Sequence, residues 1–334
     1  MNTRQENLAS ELTRLIGSVP SDADAFRHRM RLHQGWWRAF VLGMRPGPRP
    51  AAPNATACNI LPRGVKTSSA FLDDAAIAAI QDTIIERQCQ EGRGGKARGM
   101  IDEQRLFGNL LSSQPLCFNF FGQLKTDPHF ASDVLQRLID GVKLSTAVRF
   151  EFAPPENFTE DNSAFDVAFQ FETTDGKKGL FGLECKFTDT FSAKKYDRRA
   201  YQRIFAENRE TFSKPYESYL TSRYNQLFRN QLIAESMVQN RLADTVTTGL
   251  FCHPDDVGAQ QIGKEFQGML RDGVNRFRVI TYMDYISLLQ RMDLSCERRE
   301  WTMLLWARYM GVCLSEVAAT AAVTGSVDPP EEGG

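Results

Sequence analysis

Apolar and polar positions alternate most cleanly over residues 165–188, "FDVAFQFETTDGKKGLFGLECKFT". Successive side chains of a strand point to opposite faces of a sheet, so position parity decides which residues meet. The odd positions Phe165, Val167, Phe169, Phe171, Phe181, Leu183, Cys185 and Phe187 are all apolar and predict a buried face. The even positions, among them Asp166, Gln170, Glu172, Glu184 and Lys186, predict a polar one, with an open concavity beside the charges where Ala168 and Gly182 are small. Asp-Gly in the middle of "TTDGKK" is a strong hairpin signal. A turn centred on Asp175 sets Asp166 opposite Glu184, and a slip of one residue would send them to opposite faces.

Elsewhere the period is helical. The spacing predicts helices over 5–42, over 72–90 with Ile77, Ile80 and Ile84 on one side, and from about 100, carrying Glu103, to near Pro115. Further helices are predicted over 131–142, 194–209 and 219–239. Strands are predicted at 147–152 ("AVRFEF"), 245–253 and 276–283, with a helix between the last two and two helices after them. Residues 44–57, "MRPGPRPAAPNATA", hold four prolines, which exclude a helix or a central strand and leave a linker or surface strap. This order implies an α/β fold, a mixed central β-sheet flanked by helices. It divides into an N-terminal helical extension (1–99) with the proline-rich linker, a domain over 100–318, and a disordered tail over 319–334.

The chain has 334 residues, 42% of them hydrophobic, enough for a large core. Its net charge of -1 means that any basic surface is local. Seven cysteines are scattered without a CxxC pair, as expected of reduced thiols. No run of 18 apolar residues occurs, and a cytoplasmic protein without a membrane partner is expected. "EGRGGKARG" (91–99) is not a phosphate loop, since Gln90 and Ala97 stand where that motif needs Gly and Ser or Thr. His28, His33, His129 and His253 show no ligand spacing.

Asp166, Glu184 and Lys186 remain to be explained. One reading is a solvated strand face with ordinary ion pairs. The chemical reading is that two carboxylates suit Mg²⁺, which takes one or two carboxylates, waters and phosphate oxygens. The lysine would then orient an attacking water whose pKa the metal lowers. Asp166, a hairpin, and then Glu184-Cys185-Lys186 resemble the signature of the PD-(D/E)XK nuclease superfamily: an acid, a spacer, and acid-x-Lys on the next strand. An acid-x-Lys triplet alone arises about once by chance in a chain this long, so the strand and turn context carries the weight. "SSQPLCFNFFG", "SAFDVAF", "GLECKF" and "YNQLFRNQ" resemble a bacterial branch described as restriction endonucleases, best over 100–240. Phe165 stands where the superfamily has a proline.

The resemblance implies a restriction-endonuclease-like core that hydrolyses DNA with Mg²⁺, Mn²⁺ substituting, in restriction or phage defence. Asp166 and Glu184 would ligate the metal, the Cys185 carbonyl would complete its shell, and Lys186 would act on the water. A further acid often comes from the helix before the sheet, which nominates Glu103, with Glu151 on the preceding strand as its rival. Gln226 matches a glutamine often found near such sites, and shares a helix side with Arg223 and Asn230. Lys194, Lys195, Arg198, Arg199 and Arg203 cluster just after the acid-x-Lys strand and would supply sequence-independent phosphate affinity. The basic helix "FRHRMRLHQGWWRAF" could touch nucleic acid too, although inward tryptophans with solvated arginines explain it as well. The rivals to the nuclease are a nucleic-acid-binding protein of the same fold that does not cut, and an unrelated α/β protein with a solvated hairpin. A homodimer is compatible with all of these.

Overall fold

A computed structural model describes residues 11, 14–22, 24–92, 97–192 and 194–316. Helix α1 (Ala25–Trp36) starts where the Asp24 side chain accepts the Phe26 N–H, and runs into a π-turn at Trp37–Val41. The proline-rich stretch forms a two-stranded antiparallel ribbon, β1 (Gly47–Arg49) with β2 (Ala52–Ala57), separate from the main sheet. Prolines are tolerated there because both strands are edges. Four helices follow: α2 (Asp74–Gly92), α3 (Glu103–Gly108), α4 (Ser113–Thr126) and α5 (Pro128–Leu138). Asp102, Ser112 and Asp127 cap the last three by accepting main-chain N–H groups.

The central sheet has five strands in the order β3-β4-β5-β6-β7. β3 (Val142–Phe152), β4 (Phe165–Thr173) and β5 (Lys178–Cys185) are antiparallel. Helix α6 (Arg199–Glu207) and helix α7 (Asn225–Gln239) then carry the chain to β6 (Thr245–Cys252), parallel to β5. After α8 (Val257–Gly268) and the short α9 (Gly273–Arg276), β7 (Phe277–Thr281) is parallel to β6. Helices α10 (Tyr282–Gln290) and α11 (Cys296–Tyr309) follow, and a 3-10 turn at Val312–Ser315 ends the described chain. The α/β class with a mixed, helix-flanked sheet is therefore as the sequence implies.

One sheet face carries the large core, in which Val167, Phe169, Phe181, Leu183 and Cys185 pack with Phe118, Phe120 and Phe121 of α4, Trp37, and Trp301 of α11. The other face is covered by α7: Ala168 and Leu180 pack against Ile233, Ala234 and Met237.

That second core corrects the expected polar face. The even positions lie beneath a helix, and Glu184 and Lys186 are 4% and 5% exposed. Phe165 also leaves the predicted odd-position core and joins Ala168 and Leu180 on the α7 side. Its ring fills the space at Gly182, where an added Cβ would lie 2.5 Å from Phe165 Cδ1, so the expected concavity there is occupied. The cause lies opposite. Glu151 has a left-handed φ of 46°, which breaks the pleat, so Phe150 packs in the large core while its pairing neighbour Phe152, opposite Phe165, packs with the smaller one.

The long helix expected over 5–42 is also corrected. Residues 14–16 are helical, but Gly17 (φ 78°) and Pro20 end that turn before α1 begins, and residues 1–10 lie outside the described residues, as does the tail 319–334. Trp37 is buried as expected, but Arg38 is buried with it rather than solvated.

Candidate active site

Three carboxylates stand in one row across three strands. Pairing of Phe150 with Val167 and of Phe152 with Phe165 sets Glu151 opposite Asp166, and pairing of Val167 with Leu183 sets Asp166 opposite Glu184. The Asp-Gly turn fixes the second register: Thr173 and Gly176, which has φ 79°, close it with a 2.9 Å main-chain bond. Asp166 Oδ2 accepts the Cys185 N–H at 2.6 Å, locking the carboxyl across the hairpin. Glu151 Oε2 accepts the Met100 N–H at 2.9 Å. Residue 99 must be glycine for that approach, since a Cβ there would lie 2.3 Å from Glu151 Oε2.

Helix α7 supplies the opposite wall. Gln226 Nε2 donates to Glu184 Oε1 at 2.6 Å and Asn230 Nδ2 donates to Glu184 Oε2 at 3.0 Å. Lys186 Nζ donates to Gln226 Oε1 at 3.0 Å, lies 3.1 Å from Glu184 Oε1, and sits 4.9 Å from the centroid of the Phe191 ring. Its main chain is held from both sides, by its own N–H to the Phe251 carbonyl and by the Tyr282 hydroxyl on its carbonyl. Gln226 therefore bridges acid and lysine, a reason for an amide at that position.

Burial, then the charge of Glu184, then that of Glu151 push the Asp166 carboxyl well above its ordinary value. Glu151 is pushed to about 7 chiefly by burial, against the opposing Met100 N–H bond. Lys186 is in direct contact with Glu184 and also acts on Asp166. Among the described residues no three His, Cys, Asp or Glu side chains form a metal site by themselves. The donor set nevertheless fits a hard cation of the Mg²⁺ type, which needs only one or two protein carboxylates, with main-chain carbonyls and waters completing the shell. The row opens into a cleft of ≈ 140 Å³ bordered by Gly99, Met100, Ser163, Asp166, Glu184 and Arg229.

A sequence model of the PD-(D/E)XK nuclease superfamily matches residues 20–311. The chain belongs to that superfamily. No curated protein and no solved structure matches it. PD-(D/E)XK nucleases typically use divalent metals and act on nucleic acid. The matched span begins before α1, so it takes in the proline-rich ribbon along with the sheet.

The remaining expected residues are dispersed. Glu103 is exposed on the first turn of α3, beside a different cleft bordered by Pro48, Pro62 and Phe107, whereas Glu151 is the acid that joins Asp166. Arg223 precedes α7, which starts later than the expected 219, and its guanidinium pairs with Glu265 at 2.7 Å. Lys194, Lys195, Arg198, Arg199 and Arg203 are all exposed and make no ion pair among the described residues. Asn230, which the sequence reading placed on the Gln226 side of the helix, borders the cleft as expected, and Arg229 beside it is a cleft residue that reading did not single out. Their spacing from Gln226, four and three residues on one helix face, was the available signal.

Among the described residues no helix is long and apolar enough to cross a membrane, and all seven cysteines are free thiols. His33 and His253 are buried, bonded to the Ala307 and Tyr309 carbonyls, and serve packing.

Proposed function

We propose that this protein is a Mg²⁺-dependent endonuclease of DNA, with Mn²⁺ able to substitute, working in the cytoplasm in restriction or phage defence. The observation that carries the reading is the row of Glu151, Asp166 and Glu184 beside a lysine that Gln226 ties to Glu184. Two carboxylates crowded where phosphate must approach are of no use to a protein that only binds DNA, because they repel the backbone. Asp166, Glu184 and the Cys185 carbonyl would hold the cation, with Glu151 as the further acid. When bound, the cation supplies a water of lowered pKa and offsets charge on the phosphate.

The chain's own residues do the rest. Lys186 Nζ donates to the attacking water, orienting it toward phosphorus and stabilising the hydroxide character that develops on its oxygen. Gln226 and Asn230 keep Glu184 turned toward the row. Exposed Lys194, Lys195, Arg198, Arg199 and Arg203 receive the phosphate backbone outside the cleft. In this reading residues 1–99 are a helical extension on a core over 100–318, and dimerisation would present two such cores.

Purified protein incubated with plasmid DNA, linear DNA and RNA, with Mg²⁺, Mn²⁺ or EDTA, tests the reading. Nicked or linearised plasmid with either metal and none with EDTA is the expected result. DNA bound but left intact under all three conditions would favour the non-cutting binder.

A further inference from the structure

Arg229 borders the same cleft as Asp166 and Glu184, yet the protein uses only part of its guanidinium. Nη1 donates to Ser163 Oγ at 2.8 Å and lies 3.5 Å from Asp161 Oδ2, and the group stacks 4.6 Å from the Tyr196 ring centroid. Nε is buried without a partner, whereas Nη2 is not among the buried unpaired atoms and faces solvent. Asp161 is already committed: its oxygens accept from the Thr159, Ser163 and Tyr201 hydroxyls and the Ser163 N–H. These bonds outweigh its burial and hold its carboxyl below the ordinary value.

A guanidinium presents five donors in a planar fork and is always charged. Here one corner is anchored, the Nε hydrogen has no acceptor, and the two Nη2 hydrogens face solvent. An unpaired buried donor is costly unless a ligand completes it. The acceptor suited to such an edge, next to a row of carboxylates that repels anions unless a cation is present, is a phosphate with two oxygens. Glu184 does not supply that acceptor, since it is taken by Gln226, Asn230 and Lys186.

We propose that Arg229 is a phosphate clamp: its Nη2, joined by Nε as binding uncovers it, grips the phosphodiester next along the strand from the one cleaved at Asp166, with Ser163, Asp161 and Tyr196 holding the fork in orientation. The inference rests on the nuclease reading and adds to it a fixed register between the cut bond and a neighbouring phosphate.

The test measures binding of a labelled DNA oligonucleotide to the full chain in EDTA, across a salt series, beside plasmid cleavage with Mg²⁺ by the wild type. Arg229→Met should weaken binding about ten- to hundredfold and make the salt slope shallower by about one. Arg229→Lys should keep the slope but recover only part of the affinity, because an ammonium is a point charge. Ser163→Ala takes away one anchor of the fork but keeps the cation, so binding should fall less than in Arg229→Met. Wild-type affinity and slope in folded Arg229→Met would make Arg229 a mere tether of the 161–163 loop and overturn the clamp while wild-type cleavage keeps the nuclease reading intact. If Arg229→Met does not fold, Arg229→Lys decides, since full recovery of affinity would exclude the fork. Wild-type protein that neither binds nor cuts DNA would remove both readings together.

Discussion

Arg38 and Lys186 are both buried cations, 0% and 5% exposed, and their partners belong to different classes. Arg38 donates through Nε to the Cys58 carbonyl at 2.7 Å, through Nη2 to those of Ile16 and Leu15 at 2.6 and 3.1 Å, and through Nη1 to that of Met44. Its partners are main-chain dipoles from three stretches of chain, fixed by the fold itself. Lys186 instead meets side chains: one amide, one carboxylate and the ring of Phe191. The Arg38 shell is closed and leaves nothing for a ligand, so its role is to clamp the N-terminal turn, the end of the π-turn and the end of β2 together. Around Lys186 lie Asp166 and Glu151, both raised first by burial and then by neighbouring acids. The charge of Arg38 is completed by main-chain groups, whereas the proposed site keeps room for a second ion.

The largest effects should separate these two cations by kind. Lys186→Ala leaves all three acids and removes the group assigned to the attacking water, so cleavage should fall about 10²- to 10⁴-fold with metal binding retained. Cleavage at the wild-type rate in a protein that circular dichroism shows to be folded would end the assignment of chemistry to this hairpin. Asp166→Ala and Glu184→Ala should lose metal binding and cleavage together. Arg38→Met should spare the chemistry per folded molecule but lower unfolding free energy by about 3–5 kcal/mol, because four carbonyls lose their donor at once. Chemical denaturation reads that loss, and a change of less than about 1 kcal/mol would mean that water replaces the guanidinium.

The same contrast sorts the two basic helices. On α1, Arg27 and Arg31 pair with Asp22 at 3.2 and 2.6 Å, and Arg29 pairs with Asp255 at 2.5 Å. The five cations around α6 have no such acid among the described residues. Replacing Lys195, Arg198 and Arg199 with Ala should therefore weaken DNA binding and make its salt slope shallower by up to about 3, as fewer counterions are released. Arg27→Ala with Arg29→Ala should leave the slope within experimental error. If the slope followed α1 instead, the DNA path would cross the other helix.

What the sequence disclosed follows the range of the forces involved. Period-two alternation and the Asp-Gly turn are local, and they set Asp166 beside Glu184 and the odd face into the large core. Covering of the even face by α7, which buries Glu184, comes from a helix some forty residues later in the chain, and strand parity carries no trace of it. Phe165 was misassigned because the left-handed backbone at Glu151, a residue that does not advertise such a conformation, shifts the pleat of its neighbour. Gln226 was legible by helical spacing, while Arg223 was not: the helix begins at Asn225, so the arginine never joins that face. Gly17 and Pro20 did signal the break in the first helix, overridden by apolar periodicity on both sides.

The smallest predicted effect concerns how the unfinished charge appears in stability. Glu151 titrates near its ordinary value of 4.5 when unfolded but near 7 when folded, raised first by burial. Between those limits the folded protein holds a proton that the unfolded chain has released, so metal-free stability falls as pH rises from about 4.5 to about 7 and levels off above that for this group. Asp166, raised further by burial and by both neighbouring acids, adds a loss of the same sign. Glu151→Gln keeps an oxygen for the Met100 N–H and removes the charge. Its thermal or denaturant stability in EDTA should therefore be flatter across this window and exceed wild type at pH 8 by about 1–2 kcal/mol, allowing for the part of the carboxyl that water screens. In the proposed reading Mg²⁺ binds the ionised row, so it should raise wild-type stability more at pH 8 than at pH 5 and should help Glu151→Gln less. Parallel stability curves for the two proteins in EDTA would mean that neither burial nor the neighbouring acids raise Glu151, and the three-acid row would reduce to the hairpin pair.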